Sequence, residues 1–163
     1  MLHFDGKAIV EEYIKSIGVP STSVQLAIYM EFALLSLQPI ASGSKSYKFS
    51  VPVPSMTKFP LIAVNEDTGK YVKSILLNRE KMLGRRVLVA ENLYTLDDCA
   101  NILKETAGLD VAVEQCSDED YRKGLAAVGY PEFMQDDLSD IMSFIKEYGF
   151  YGGVGFEADH EVI

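Results

Sequence analysis

Hydrophobic and polar positions follow a helical period over the first segment of the chain. Its apolar stripe consists of Val10, Ile14 and Ile17, with Ile9 and Tyr13 beside them. This spacing predicts a helix whose stripe faces a core, and Gly18 followed by Pro20 ends that helix. Traced back towards the N-terminus, the stripe reaches Lys7 and then His3. Both side chains are therefore predicted on or near the inward face of the helix.

Beyond this helix, short apolar runs alternate with amphipathic segments, which is the pattern of an α/β domain. Strands are predicted over residues 23–27, 47–51, 60–64, 85–90 and 111–113. Further helices are predicted over 29–38, from an N-cap at Asn65, from Thr95 with Asp98 in a capping box, from Ser117, and from Pro131 as first residue to about Gly149.

The composition is that of one folded domain. The 163 residues are 48% hydrophobic and 24% charged, close to the average of globular proteins. The net charge of −9 and the isoelectric point of about 4.7 argue against direct binding to nucleic-acid phosphates or to an anionic membrane. No apolar run reaches transmembrane length, and charged residues interrupt the N-terminal segment, which is therefore not a signal peptide.

The two cysteines, Cys99 and Cys116, carry no metal or disulfide signature. Cys99 falls within a helical apolar pattern and is predicted to be a small core side chain. Cys116 follows an apolar strand. Their spacing does not match a zinc site, and a reducing, cytoplasmic setting fits this usage. No metal ligands are predicted.

The stretch HFDGKAIVEEYIKSIGVPSTSVQLAIYMEF, residues 3–32, resembles the NmrA-like family, in particular its animal members within the atypical short-chain dehydrogenase/reductases. The resemblance continues more loosely through PLIAVNEDTGKYVKSIL to about residue 149. It implies NADP(H) binding, often without turnover, and a role in redox sensing and transcriptional regulation in the cytoplasm or nucleus. It also implies cofactor contact from Lys7 and from the segment near the nicotinamide end, Tyr29, Met30, Glu31 and Phe32.

Two departures from the family pattern bear on chemistry. Reductases of this superfamily carry Tyr-x-x-x-Lys, with the tyrosine as acid and base, whereas this chain has His3 before Lys7. The animal relatives resemble this chain in that replacement, so no catalytic residue is predicted. The family also ends its second segment in Glu-Asn, whereas this chain has Glu31 followed by Phe32. The ligand contact expected from that amide is thereby lost.

The phosphate-binding turn of a dinucleotide fold, Gly-x-x-Gly-x-x-Gly between the first strand and the first helix, is missing at that place. Gly152, Gly153 and Gly155 lie near the C-terminus with no helix pattern after them. The resemblance therefore implies the C-terminal part of a Rossmann-like, NAD(P)-binding parallel sheet with a smaller helix-and-strand lobe, and the N-terminal glycine-rich half missing. Residues 1–153 are expected to form this truncated domain, and residues 154–163 to form a frayed acidic tail. Such a sheet exposes one strand edge.

Three functions follow as hypotheses from different classes. The first is a non-catalytic, NADP(H)-responsive regulator that acts through protein partners, with cofactor binding weakened or lost by truncation. The second is a residual NAD(P)H-dependent reductase, with His3 as acid and Lys7 on the ribose. The third is a protein-pairing module without ligand, in which the exposed sheet edge joins a second copy or another chain. Absence of both the tyrosine and the glycine turn disfavours the reductase.

Overall fold

Helices and short strands alternate along a chain whose computed structural model describes residues 1–41, 43–156 and 159, without the side chains of residues 3 and 35. The helices are α1 (Leu2–Ser16), α2 (Met30–Leu35), α3 (Val64–Leu77), α4 (Arg79–Met82), α5 (Leu96–Ala107), α6 (Asp118–Ala127) and α7 (Glu132–Tyr148). The strands are β1 (Ser23–Leu26), β2 (Ile28–Tyr29), β3 (Gln38–Pro39), β4 (Ser46–Val51), β5 (Phe59–Ile62), β6 (Arg86–Val89), β7 (Asn92–Tyr94) and β8 (Asp110–Gln115).

Parallel pairings define the α/β character. β1 pairs with β6, β2 with β5, and β4 with β8, all in parallel. The pairings of β3 with β4 and of β5 with β7 are antiparallel. Strand orders are β1-β6, β2-β5-β7 and β3-β4-β8. The predicted fold, a parallel sheet flanked by helices with a smaller lobe, is therefore confirmed.

Two apolar clusters form the core, and β5 joins them. Ile62 belongs to the cluster formed mainly by β6 with Ala27, Ile75 and Met82. Leu61 belongs to the second cluster, which includes Phe49, Phe59, Leu96, Ile141 and Ile145. Since successive residues of a strand point to opposite faces, these two neighbours serve opposite sides of the sheet.

Most helix boundaries follow the predicted caps. Thr95 and Asp98 form a capping box at the start of α5, which ends at Gly108 in the left-handed conformation. Ser117 accepts a hydrogen bond from the Asp120 backbone N–H at the start of α6. Pro131 is the N-cap of α7 rather than its first residue. These signals act within one turn of helix, which is why they can be read locally.

The predicted inward stripe of α1 is wrong. Val10 and Ile17 are exposed, together with Ile9 and Tyr13, and only Ile14 is half-buried. The side of α1 towards the body instead carries Phe4, which packs against the second cluster, and Glu11, which is bound to Arg86. On this side of α1, Glu11 pairs with Arg86 of β6, and Phe4 provides the apolar contact with the core.

Two further local predictions are corrected. The helix expected over residues 29–38 is only the six-residue α2, with β2 and β3 at its ends, because Tyr29 and Gln38 pair with neighbouring strands. Asn65 is not an N-cap: α3 starts after Ala63, which makes no side-chain cap, and Asn65 lies inside the helix. Strand β7 had no signal of its own in the sequence pattern.

Two residues after position 153, Phe156 and Asp159, contact the rest of the domain. Phe156 is buried in the first core cluster. The Asp159 carboxylate accepts a 2.9 Å hydrogen bond from the Leu88 backbone N–H and lies 3.4 Å from Arg85. Fraying does not apply to these two positions. The other residues of the predicted tail, 157–158 and 160–163, lie outside the described residues, and the domain boundary stays a prediction.

Candidate functional site

The segment assigned to the nicotinamide end lies where two parallel strands finish. β2 runs beside β5, with Ile28 opposite Leu61 and Tyr29 opposite Ile62. α2 begins directly after β2, and α3 begins two residues after β5. Ligands of open α/β sheets bind outside the carboxyl ends of parallel strands. The topology therefore places the start of α2 and the start of α3 at the edge where such a ligand would lie.

Two aromatic rings form an apolar surface at this edge. The rings of Tyr29 and Phe32 lie 6.0 Å apart between centroids and are tilted by 38°. Both side chains are exposed, whereas Met30 between them packs against the second core cluster. An exposed ring of such a pair offers a face on which a planar ring can stack with an offset.

Glu31 is the polar centre of the segment. One carboxylate oxygen, Oε1, accepts a 3.2 Å hydrogen bond from Asn65 Nδ2 of α3. The other oxygen, Oε2, is buried and has no hydrogen-bond partner among the described residues. A buried carboxylate oxygen that lacks a partner costs free energy, about 1–3 kcal/mol for an unsatisfied group. Such an atom marks a place where a ligand donor would be favourable.

A second buried oxygen lies on the neighbouring helix. Thr68 Oγ1 likewise has no partner among the described residues. Thr68 follows Asn65 by three positions on α3, so the two side chains share one helix face. Asn65 thus holds Glu31 on the face that also carries the Thr68 hydroxyl. Oε2 can accept, and the hydroxyl can both donate and accept, a hydrogen bond from a polar ligand.

Lys7, the remaining predicted cofactor contact, lies in the second turn of α1. It follows Phe4 by one turn on α1, and Phe4 packs against the same core cluster as Met30. The Lys7 side chain is exposed. Contrary to the predicted inward face, its ammonium group lies at the surface and has interactions of its own. Phe4 and Met30 thus contact the same core cluster, while the proximity of Lys7 to the Tyr29–Phe32 segment stays a prediction.

The position of α1 depends on Glu11. Its carboxylate accepts hydrogen bonds from Lys15 at 2.6 Å and from Arg86 at 3.2 Å, and Ser23 of β1 adds another. The bond from Lys15 contributes most, and together with Ser23 and Arg86 it lowers the pKa of Glu11 to about 2 although burial opposes the shift. Arg86, at the start of β6, therefore ties the helix of Lys7 to the sheet.

Other candidate chemistry is sparse. The His3 side chain, which would replace the catalytic tyrosine, lies outside the described residues. Within residues 1–41, 43–156 and 159 there is no group of three or more potential metal ligands. Cys99 is half-buried and its pKa is raised by burial, so the described thiol is protonated and packs as an apolar group.

A separate cleft of about 250 Å³ lies at the glycine-rich turn after α7. Its lining includes Lys58, Leu93, Phe150, Tyr151 and Phe156. None of the predicted cofactor-binding residues belongs to this lining. The Tyr151 hydroxyl donates a 2.9 Å hydrogen bond to the Val89 carbonyl, and this bond fixes the ring against the core. The cleft is thus distinct from the Glu31 region.

Asn65 and Thr68 were not recognised as site residues from the sequence. Asn65 was assigned to capping, and Thr68 had no role. Glu31 and Asn65 are 34 positions apart, and only the parallel pairing of β2 with β5 brings them together. The sequence pattern gave no signal for this pairing, because β2 lies outside the predicted strands and the strand predicted over 47–51 separates it from β5 along the chain.

The described residues fit one part of a dinucleotide, its nicotinamide-ribose end. Glu31 offers an acceptor oxygen, Thr68 a hydroxyl, and Tyr29 with Phe32 an apolar face. A ribose hydroxyl or carboxamide is the matching donor. The pyrophosphate lacks its usual partner among the described residues, because none of the described junctions from a strand into a helix contains a glycine. The assignment of Lys7 and residues 29–32 to a cofactor stays a prediction.

The sequence model of the NmrA-like family matches residues 1–162. Among solved structures, NmrA, a negative transcriptional regulator, in complex with NAD aligns with a TM-score of 0.72 at 17% identity, covering 94% of this chain and 51% of that chain. The same regulator in complex with NADP aligns with a TM-score of 0.71 at 17% identity, and the alignment covers 94% of this chain and 51% of that chain. A Citrobacter sp. triphenylmethane reductase complexed with NADP(H) aligns with a TM-score of 0.67 at 20% identity, and the alignment covers 94% of this chain and 52% of that chain.

The chain therefore spans about half the length of these structures. At such identities the likeness shows the fold, which the regulator and the reductase share. The described helices include none that is long and apolar enough to cross a membrane.

Proposed function

Because the chain belongs to the NmrA-like family, we propose that it supplies the nicotinamide-side part of a non-catalytic, NADP(H)-responsive regulator. Such a regulator acts through protein partners in the cytoplasm or the nucleus. Two observations on similar proteins support the cofactor: the regulator NmrA has been solved with NAD and with NADP. The animal type, suggested by His3 before Lys7, is part of the same proposal.

The observation that carries the proposal is the state of Glu31. Its Oε1 is fixed by Asn65, while its Oε2 is buried without a partner among the described residues. A carboxylate held in this way is preorganised to accept one more hydrogen bond. It stands in the segment that the family resemblance assigns to the nicotinamide end, beside the exposed Tyr29 and Phe32 rings.

The residues of this chain would bind and orient the cofactor rather than react. Glu31 would accept from a ribose hydroxyl or the carboxamide, Lys7 would donate to the ribose, and the aromatic pair would cover one face of the ring. A bound NADP(H) supplies a redox-active ring that can exchange a hydride. Since no described strand leads through a glycine turn into a helix that could bind the pyrophosphate, we expect weak binding of the whole dinucleotide by this chain alone.

The alternative is a reductase, and the likeness to triphenylmethane reductase is the observation that favours it. That likeness shows the fold, while the chemistry requires a proton donor. His3 stands where the tyrosine of Tyr-x-x-x-Lys is expected. NADPH oxidation measured against aldehydes and quinones decides between the two. Turnover that disappears in His3→Ala would establish the reductase and end the non-catalytic proposal.

The site is tested by calorimetric titration of the 163-residue chain with reduced nicotinamide mononucleotide and with NADPH. The mononucleotide contains the end that Glu31 and Lys7 are proposed to contact, and it lacks the rest of the dinucleotide. We expect measurable binding of both compounds, with NADPH gaining less than tenfold over the mononucleotide. NADPH binding in the low micromolar range would show that the glycine turn is dispensable. It would contradict the proposed weakening of cofactor binding.

Glu31→Gln provides the matched comparison. The variant keeps the size and the contact to Asn65 but removes the charge, and we expect it to weaken mononucleotide binding by about tenfold, as for a charge-assisted hydrogen bond. Glu66→Gln is the control, because Glu66 is an exposed carboxylate in the first turn of α3. Equal affinities in all three proteins would remove Glu31 from the site.

A further inference from the structure

The cleft at the glycine-rich turn after α7 combines an apolar wall with a cation. Its volume of about 250 Å³ is near the lower end of small-molecule sites. Lys58 is the one charged side chain among the described residues that line it, so we term it the Lys58 cleft. The other side chains of the lining are apolar or aromatic: Pro60, Leu93, Phe150, Tyr151, Val154 and Phe156.

Three aromatic residues, Phe150, Tyr151 and Phe156, form what we term the aromatic wall of the cleft. The rings of Phe150 and Tyr151 meet edge to face with centroids 5.1 Å apart, and Tyr151 packs in the same manner on Phe156 at 6.3 Å. Phe156 is buried, and the Tyr151 hydroxyl is bonded to the Val89 carbonyl. Because these contacts already fix the rings, a ligand would not have to order them on binding. The wall is therefore preformed for a planar apolar group.

The turn itself contributes backbone without side chains. Gly149 and Gly153 line the cleft and have φ angles of 75° and 81°, in the left-handed region that favours glycine. Neither position carries a Cβ that would occupy part of the cleft. The turn thus leaves the aromatic wall accessible from this side.

Lys58 determines which charge the cleft would accept. It directly precedes β5, and its side chain is exposed. The pKa of Asp98 is lowered mainly by hydrogen bonds with Thr95, and Lys58 adds a favourable electrostatic effect. Asp98 Oδ2 already accepts from the Thr95 backbone N–H and hydroxyl, at 2.9 and 2.6 Å. The Lys58 ammonium can therefore pair with a further anion.

We propose that the Lys58 cleft binds a small aromatic carboxylate, with its ring against Leu93 and the aromatic wall and its carboxylate paired with the Lys58 ammonium. The chain carries a net charge of −9, so an anion that binds here must be recognised by this local cation. A neutral aromatic molecule lacks the ion pair, and an anion without a ring lacks the apolar contact. None of the predicted cofactor contacts lines the cleft, so the two sites are independent.

Calorimetric titration of the 163-residue chain with 2-naphthoate tests the proposal. We expect saturable binding with a dissociation constant of about 1 mM or lower, as ligand-efficiency bounds allow for a ligand of this size. The neutral analogue 2-naphthamide should bind at least about tenfold more weakly, because it cannot form the ion pair. Absence of saturation up to about 10 mM overturns the proposal, and so does equal affinity for the acid and the amide.

Three variants test the charge. Lys58→Gln should weaken 2-naphthoate binding by about tenfold, whereas the control Lys81→Gln, at an exposed position on α4, should change it little. Asp98→Asn keeps an acceptor oxygen for the cap but removes the competing carboxylate, so it should strengthen binding about two- to threefold. Circular dichroism melting checks that all three stay folded. Unchanged affinity in Lys58→Gln, or weaker binding in Asp98→Asn, refutes the ion pair.

One variant and a competition experiment test the location. Leu93→Trp places a larger ring in the cleft and should abolish binding of 2-naphthoate without a change at Lys58. A saturating concentration of reduced nicotinamide mononucleotide should leave the affinity for 2-naphthoate unchanged. Competition between the two compounds would put 2-naphthoate in the cofactor site and overturn the proposal. If the mononucleotide fails to bind, the proposed function fails, while the titrations with 2-naphthoate still decide this inference.

Discussion

Arg86 Nη2 lies 3.2 Å from both carboxylate oxygens of Glu11 and so links the first helix to the second strand of the β1-β6 pair. Lys15 and Ser23 bind the same carboxylate. This polar cluster and the packing of Phe4 against the second core cluster thus hold α1 in place. Ile9, Val10 and Tyr13 of α1 face outward in this arrangement, and Lys7 is exposed as well.

Glu11→Gln is predicted to lower the free energy of unfolding at pH 7 by about 1 kcal/mol. The effect is modest because Arg86 and Lys15 are more than half exposed, where solvent screens ion pairs. Urea denaturation provides the measurement. Glu12→Gln, at the exposed neighbouring position, is the control and should change stability little. Equal losses in the two variants would mean that the cluster does not anchor the helix.

The same carboxylate predicts a pH dependence. Its pKa is about 2 in the folded chain against an ordinary value of 4.5. A lowered folded pKa means that the contribution of Glu11 is complete above about pH 4.5 and is lost as the pH falls towards 2. Stability curves of the wild type and Glu11→Gln should therefore converge over this interval. Parallel curves from pH 7 to pH 2 would contradict the assignment.

Phe156→Ala is predicted to destabilise the chain by about 3 kcal/mol or more, the cost of removing a buried aromatic side chain. Phe156 is buried with Ile62 and Val89, and Tyr151 packs edge-to-face on its ring. Thermal unfolding checks the loss. Val154→Ala, at an exposed position two residues earlier, should leave the melting temperature unchanged. A negligible effect of Phe156→Ala would restore the view that this segment is a frayed tail.

Thr95→Ala is predicted to cost about 1–2 kcal/mol. Thr95 is buried, and its Oγ1 accepts from the Asp98 backbone N–H at 3.0 Å while donating to Asp98 Oδ2 at 2.6 Å. Ser117→Ala removes an exposed cap of α6 and should cost less, about 0.5–1 kcal/mol. Urea denaturation of both variants gives the comparison. A larger loss at Ser117 would show that burial of the cap is not what matters.

Lys7→Met is predicted to weaken binding of reduced nicotinamide mononucleotide by about tenfold with little change in the apo melting temperature. The charge-assisted hydrogen bond to the ribose is lost, whereas methionine keeps most of the apolar stem. Lys73→Met, at an exposed position on α3, is the control. Calorimetry and thermal unfolding are performed on the same proteins. Unchanged affinity with lower apo stability would make Lys7 structural and remove it from the site.

The sequence by itself determined the local features of this protein. Apolar runs, glycines at helix ends and the Thr95 and Ser117 caps act within a few residues, so the α/β alternation and most element boundaries could be read directly. The family resemblance also depended only on the order of residues, and the match over residues 1–162 confirms it. Lys7 and the Tyr29–Phe32 segment were named in the same way.

Only the tertiary structure decided what depends on residues far apart in the chain. The face of α1 that meets the sheet includes Glu11, whose partner Arg86 lies 75 positions away, and no periodicity of the helix can express such a contact. Asn65 became the partner of Glu31 through the pairing of β2 with β5, although its sequence context predicts a cap. Amphipathic spacing shows that a helix has an apolar face, but which face is buried depends on the charges and strands it meets.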